Sequence, residues 1–245
     1  IAKLSTGSVL NNFAGVNYSI LGSYNYCLVS GIYDGLGEIS KAHFNYPNGL
    51  GKDSNGNIYV ADTQNHRIRK ITPSGVVSTL VGSVAGFNNG NANQALLHYP
   101  HGIFVDLSNN IYTLTRSAPA GMPDQDLSLM NIRKISPTGD VSSFPISNPN
   151  LIISAQTAQS GIVVDQNGNV YVPSYNLIQK ITPNGVVSTF AGDWSSGYIN
   201  GIGIAARFNK PKGLCIDSSG NIYVADSGNN RIRKISLNSW PLISN

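Results

Sequence analysis

YPNGLGKDSNGNIYVADTQNHRIRKITPSGVVSTLVG, residues 46 to 82, is a pattern that the rest of the chain repeats. It returns as KPKGLCIDSSGNIYVADSGNNRIRKIS over residues 210 to 236. Two further copies lie between, HGIFVDLSNNIYTLTR from His101 and SGIVVDQNGNVYVPSY from Ser160. The glycines that open the copies, Gly49, Gly102, Gly161 and Gly213, stand 53, 59 and 52 residues apart. Such a self-similar period marks a repeat architecture, and it governs every other reading of the chain.

Each copy holds four short apolar runs, in the first GLGKD, NIYVAD, RIRKI and VVSTLVG. They are rich in Ile, Val, Tyr and Thr and bounded by turn residues, so they read as strands. Asp53 to Asn57, Asp165 to Asn169 and Asp217 to Asn221 share an Asp-x-x-Gly-Asn pattern. Gly supplies positive φ at such a turn, and the Asp side chain accepts from nearby backbone N–H groups. Asn109-Asn110 serves the same purpose in the second copy, because Asn tolerates left-handed φ. Pro73-Ser74-Gly75, Pro137-Thr138-Gly139 and Pro183-Asn184-Gly185 turn the third run into the fourth. Four strands joined by short turns make an antiparallel meander that cannot bury both faces alone. The pattern predicts an all-β fold, a β-propeller of four-stranded antiparallel blades.

The stretches NIYVADTQNHRIRKITPSGVVSTLVG and NIYVADSGNNRIRKI resemble NHL repeats, the blades of NHL β-propellers. The linkers agree, since DGLGEISKAHFNYP (Asp34 to Pro47) is similar to NGIGIAARFNKP (Asn200 to Pro211). The resemblance covers almost the whole chain. It implies a single propeller domain over residues 1–245, with blades at about 46–82, 100–146, 160–192 and 211–236. As for activity, it implies only a range, since such propellers serve as binding modules, RNA binders and a few enzymes.

Residues 1–15 are part of a blade: KLSTGSVLNNFAG (Lys3 to Gly15) aligns without a gap on KITPSGVVSTLVG (Lys70 to Gly82). Two closures compete. In one, Val9 to Phe13 pairs with Arg231 to Ile235, supplies the outer strand of the last blade and closes a four-bladed ring. In the other, LNSWPLISN at residues 237–245 supplies that strand, and the chain is a fragment of a larger ring. NHL propellers commonly have six blades, which favours the fragment. Four-bladed closure also removes an open sheet edge.

Only 11% of the residues are charged, and the net charge is +4. A basic balance raises the question of nucleic acid, but Arg67, Arg69, Lys70, Arg133, Lys134, Lys180, Arg231, Arg233 and Lys234 all belong to the repeated third strand. They spread around the propeller instead of forming one phosphate-binding face, so nucleic acid is not the expected partner. No apolar run reaches the roughly 18 residues of a membrane span. Polarity carried by Asn, Ser, Thr and Gly points to an extracellular or cell-surface setting. There the sequon Asn17-Tyr18-Ser19 makes Asn17 a candidate glycosylation site. Cys215 sits in the first strand of the last copy, at the place of Gly51, Phe104 and Val163, and Cys27 lies in a long linker. RSAPAGMPDQDLSLMN (Arg116 to Asn131) replaces a short turn and reads as an inserted surface loop.

Two groups of side chains stand out. Asp62 with Arg67 recurs as Asp226 with Arg231, while the other copies carry Thr115 with Asn131 and Ser174 with Leu177. Both partners are present or both absent, which predicts structural ion pairs. The residues before the ruler glycines, Asn48, His101, Ser160 and Lys212, begin the innermost strands and should gather at the mouth. They vary while their frame repeats, as a binding face would. No His-x-x-x-His, Cys-x-x-Cys or Gly-x-Ser-x-Gly spacing occurs, and the calcium-like Asp53 turn lacks a terminal Glu. No cofactor or metal site is expected. The reading is therefore a non-catalytic interaction or scaffold module with a protein or glycan partner. The alternatives are a propeller enzyme, either a lactonase-like hydrolase or an amidating lyase, and an RNA-binding domain.

Overall fold

The computed structural model of the chain describes residues 2–4, 10–12, 34–36, 42–116, 130–147, 161–236 and 242–244. Strands β1 (Ala2–Leu4) and β2 (Leu10–Asn12) form a separate hairpin. The first blade is β3 (Gly35–Leu36), β4 (Pro47–Lys52), β5 (Ile58–Asp62), β6 (Arg67–Ile71) and β7 (Val76–Val81), in the order β3-β7-β6-β5-β4. The second is β8 (Ile103–Val105), β9 (Ile111–Arg116), β10 (Met130–Ile135) and β11 (Val141–Ser143). The third is β12 (Val163–Val164), β13 (Val170–Ser174), β14 (Leu177–Ile181) and β15 (Val187–Gly192). The fourth is β16 (Pro211–Ile216), β17 (Ile222–Asp226), β18 (Arg231–Ser236) and β19 (Leu242–Ser244). All neighbours in these sheets run antiparallel, so the blades are the meanders of a β-propeller.

One expectation about closure is corrected. The strand from Val9 to Phe13 does not pair with Arg231 to Ile235. Leu10–Asn12 pairs instead with Ala2–Leu4, and Leu242–Ser244 takes the edge of β18. The four-bladed ring pinned by the N-terminal strand is therefore wrong. A hairpin closed across five residues loses far less chain entropy than a pairing between distant ends.

The inner hairpins form as their turn residues predict. Asp53 Oδ1 accepts the Asn57 N–H at 2.8 Å, and Oδ2 accepts the Asn57 amide at 2.7 Å and the Tyr59 hydroxyl at 3.1 Å. Asp165 and Asp217 repeat all three bonds. Gly56, Gly168 and Gly220 take φ near 80°, and Asn109 takes φ 63° in their place. Each buried tyrosine is thereby tied to a carboxylate, and burial with that charge pushes Tyr59 and Tyr112 up to about 12.

The core lies between blades. Side chains alternate across a strand, so each blade has a forward face and a rear face. The forward face of the first blade (Tyr59, Ala61, Ile68, Val81) meets Leu97, Ile103, Ile111 and Ile135 on the rear of the second. The forward face of the second (Tyr112, Leu114, Ile132) meets Ile162, Val164, Val172 and Ile181 of the third. The forward face of the third (Val163, Tyr171, Ile178) meets Phe208, Ile222, Val224 and Ile235 of the fourth. β4 thus stacks on β8, β8 on β12 and β12 on β16.

Candidate functional site

The inner strands place the mouth residues. Asn48 on β4 is exposed, and its amide lies 3.2 Å from Nδ1 of His101, which enters β8. With the amide donating, His101 carries its hydrogen on Nε2. His101 is buried, and its backbone N–H donates to the Leu114 carbonyl at 2.8 Å. Burial, helped by the Arg116 charge, pulls its imidazole down to about 4, so it is neutral at physiological pH. Lys212 on β16 is exposed, and its carbonyl lies against Gly161 at the junction of the third and fourth blades. The structure thus brings Asn48 and His101 together and sets Lys212 two blades further on. Ser160, Asn17 and Cys27 lie outside the described residues, and Cys215 is a free, exposed thiol.

The predicted ion pairs have different partners. Asp62 and Arg67 do face each other in register, as do Asp226 and Arg231. Yet Asp62 Oδ2 meets Nη1 of Arg69 at 3.0 Å, and Asp226 Oδ2 meets Nη1 of Arg233 at 3.1 Å. Diagonal neighbours on one sheet face are within reach of a long side chain. Arg69 and Arg233 point into the blade interior, where the carboxylate also turns. There Asp62 accepts from the Asn45 N–H at 2.6 Å and the Asn65 amide at 2.8 Å, and Asp226 does the same with Asn209 and Asn229. Arg231 lies instead over the Tyr198 ring, 4.4 Å from its centroid.

With the correct partner, the second blade stands apart. Arg133 occupies the place of Arg69 and is buried, but Thr115 stands where Asp62 does. Its guanidinium donates to the Leu96 and Asn88 carbonyls and to Asn89 Oδ1, at 3.3, 3.0 and 2.7 Å. No carboxylate joins it among the described residues, and the Thr115 hydroxyl is buried without a partner there. Three of the sixteen basic residues, Arg69, Arg133 and Arg233, are thus buried inside the blades. Lys134, Lys180 and Lys234 lie over Tyr112, Tyr171 and Tyr223 at 5.5 to 6.0 Å.

Beside the mouth lies a cluster that sequence reasoning missed. His66 and His98 stack with ring centroids 5.7 Å apart, and Tyr99 and Phe87 pack edge-on against them. Arg116 sits 4.8 Å above the Tyr99 ring. Nδ1 of His66 accepts the Tyr99 N–H at 3.1 Å. Burial, with His98 nearby, lowers the His66 imidazole. Tyr46, Tyr99 and Lys210 each precede a proline and each hold a left-handed φ of 43 to 50°. The repeated Tyr-Pro and Lys-Pro steps in the linkers were the available signal. Among the described residues no group of three His, Cys, Asp or Glu side chains converges as metal ligands.

A model of the NHL repeat matches residues 44–71 and 208–235, the inner three strands of the first and fourth blades. Meanders of this kind, repeated and stacked face to face, define the class of repeat β-propellers. Within it, the chain carries matched NHL repeats in its first and fourth blades. It is 26% identical to mouse (Mus musculus) Teneurin-3 over 235 residues, which is 85% of this chain and 8% of that protein. It is 28% identical to chicken (Gallus gallus) Teneurin-1 over 231 residues, 82% of this chain and again 8% of the relative. The chain therefore spans about a twelfth of the curated relatives it matches. Among solved structures it superposes on virginiamycin B lyase from Staphylococcus aureus with a TM-score of 0.54 at 17% identity. That match covers 85% of this chain and 59% of the other, a likeness of fold. No helix among the described residues is long and apolar enough to cross a membrane.

Proposed function

We propose that this propeller is a non-catalytic interaction module of an extracellular or cell-surface protein, with a protein or glycan bound at its mouth. The observation that carries the reading is how the polar groups are spent. Those that repeat, Asp62, Arg69, Asp226 and Arg233, are buried and bond to one another. Of those that vary at the mouth, Asn48 and Lys212 are exposed, while His101 is buried beneath Asn48. The frame is held by constant groups and leaves variable ones to make contacts. The match of 82–85% of the chain to teneurin sequences supports a module embedded in a longer chain.

The test is a glycan array together with a panel of cell-surface ectodomains, probed with the wild-type chain and with an Asn48→Arg, Lys212→Glu variant. A ligand retained by the first and lost by the second, with unchanged melting, supports the reading. Turnover of a lactone or of an amidating-lyase substrate, with or without added zinc or calcium, would overturn it.

A further inference from the structure

The outer strands of the blades are not alike. β7 and β15 each run for six residues, with a register shift against the third strand. β11 stops after three, at Ser143. Pro145 follows, and proline has no N–H to give to a sheet. The chain then crosses to the third blade, where the Ser147 N–H donates to the Gly185 carbonyl at 2.9 Å. A Cβ on Gly185 would come within 2.9 Å of the Pro145 carbonyl, so the crossing lies tight against that turn.

A cleft of about 250 Å³ opens beside the crossing. One wall belongs to the second blade and carries Tyr112, Lys134, Ser142 and Phe144. Lys134 stands opposite Tyr112 on one side and Ser142 on the other, so these side chains share the forward face with Phe144, two residues beyond Ser142. The other wall is Pro183 with Gly168, where a Cβ would come within 3.3 Å of the proline ring. Gly168 lies in the turn that ends the inner strand, so the cleft is at the end of the blades away from the mouth.

The third blade repeats the residues of the first wall but not its shape. Val141-Ser142-Ser143-Phe144 there reads Val187-Ser188-Thr189-Phe190. Tyr171 and Phe190 meet edge-on at 4.8 Å, whereas Tyr112 and Phe144 stand 6.1 Å apart. The shortened outer strand leaves the wider corner.

The polar groups in that corner are unspent. Nζ of Lys134 lies 5.5 Å from the Tyr112 ring centroid, and no carboxylate pairs with it among the described residues. The Asp106 carboxylate is taken up by Asn110 and by the Tyr112 hydroxyl. Ser142 is exposed. The cleft therefore offers one cation and one hydroxyl beside two aromatic rings. A cavity of about 150 Å³ holds benzene, so this one has room for a ring and a short acidic tail. It is smaller than the pockets that take drug-sized ligands. A single ammonium with one hydroxyl suits a carboxylate, while a phosphate calls for more donors.

We propose that this cleft binds a small aromatic carboxylate. The ring packs edge-on into the Tyr112–Phe144 corner against Pro183, and the carboxylate meets the Lys134 ammonium and the Ser142 hydroxyl. The site is separate from the mouth and does not rest on the function proposed there.

The test is a calorimetric titration of the whole 245-residue chain with 3-phenylpropionate. Saturable binding is expected with a Kd of about 1 mM, within reach of so small a ligand. 3-Phenylpropionamide keeps the ring and loses the charge; propionate keeps the charge and loses the ring. Each should bind at least about tenfold more weakly, as should the acid to Lys134→Gln. Ser142→Trp fills the corner from an exposed position and should abolish binding with the melting temperature unchanged. Lys180→Gln alters the matching Lys–Tyr pair of the third blade and should bind as the wild type does. The Asn48→Arg, Lys212→Glu chain should do the same. No saturable binding below about 20 mM would overturn the proposal. So would equal affinity for the amide, binding indifferent to Lys134→Gln and Ser142→Trp, or loss of binding in either control.

Discussion

His101 shows how one residue couples the mouth to stability. Its imidazole is buried and hydrogen-bonded by Asn48, and its ionisation falls from the ordinary 6.5 to about 4. Between those values the unfolded chain binds a proton that the folded chain refuses. Stability is therefore fully present above pH 6.5 and is lost as pH falls toward 4, by roughly 3 kcal/mol in all. Urea unfolding measured at half-unit pH steps should show that slope, and His101→Gln should flatten it. At the same scale, Thr115 and Arg133 make a stability prediction. The cost of burying the guanidinium has already been met, and a carboxylate opposite it is missing. Thr115→Asp should stabilise the second blade by about 2 kcal/mol, the worth of a charge-assisted hydrogen bond. Asp226→Ala, which leaves the buried Arg233 with no carboxylate among the described residues, should cost about 3–5 kcal/mol. Thermal melts of the two variants moving in the same direction would contradict this account.

At the scale of the element, the blade is a hairpin frame with one demanding position. The inner-strand glycine has an ordinary φ and is required by what lies across the junction. Gly49→Ala forces a methyl onto the His101 carbonyl, backbone that cannot swing aside. It should destabilise the chain by at least about 2 kcal/mol, as overpacking in a core does. Gly213→Ala is the internal control, because space is open there. Denaturation midpoints for the pair separate a junction effect from the intrinsic preference for glycine, which both variants share. The Asp–Arg pairing teaches the limit of spacing at this scale. The register that puts Asp62 opposite Arg67 was legible and correct. The choice of Arg69 was not, because it depends on which long side chain turns inward beneath the linker that leads into its own blade, where the His43 carbonyl receives it at 2.9 Å.

At the scale of the molecule, the blades hold together through successive faces, and the N-terminal hairpin is a sheet of its own. β1 and β2 pair with each other and with no blade strand. Deleting residues 1–15 should therefore leave the unfolding midpoint of the four blades within about 0.5 kcal/mol, the range of changes that touch no packed feature. A cooperative collapse on that deletion would restore the pinned ring that the strand pairing contradicts.

What the chain determined unaided is local: strands, hairpin turns and the period of the repeat. Gly, Asn, Asp and Pro punctuate the chain at fixed offsets, and each acts within a few residues of itself. The four copies, their strand order and the left-handed Asn109 were all legible for that reason. The inner-strand position of Asn48 and His101 was legible too, since it follows from strand order alone. Only the tertiary structure decided which faces are covered. Ile68 and Ile232 sit in the same five residues, Arg-Ile-Arg-Lys-Ile, and one is sealed while the other is open. Burial of a blade face depends on the sheet stacked against it, and no residue within the repeat encodes whether that neighbour is there.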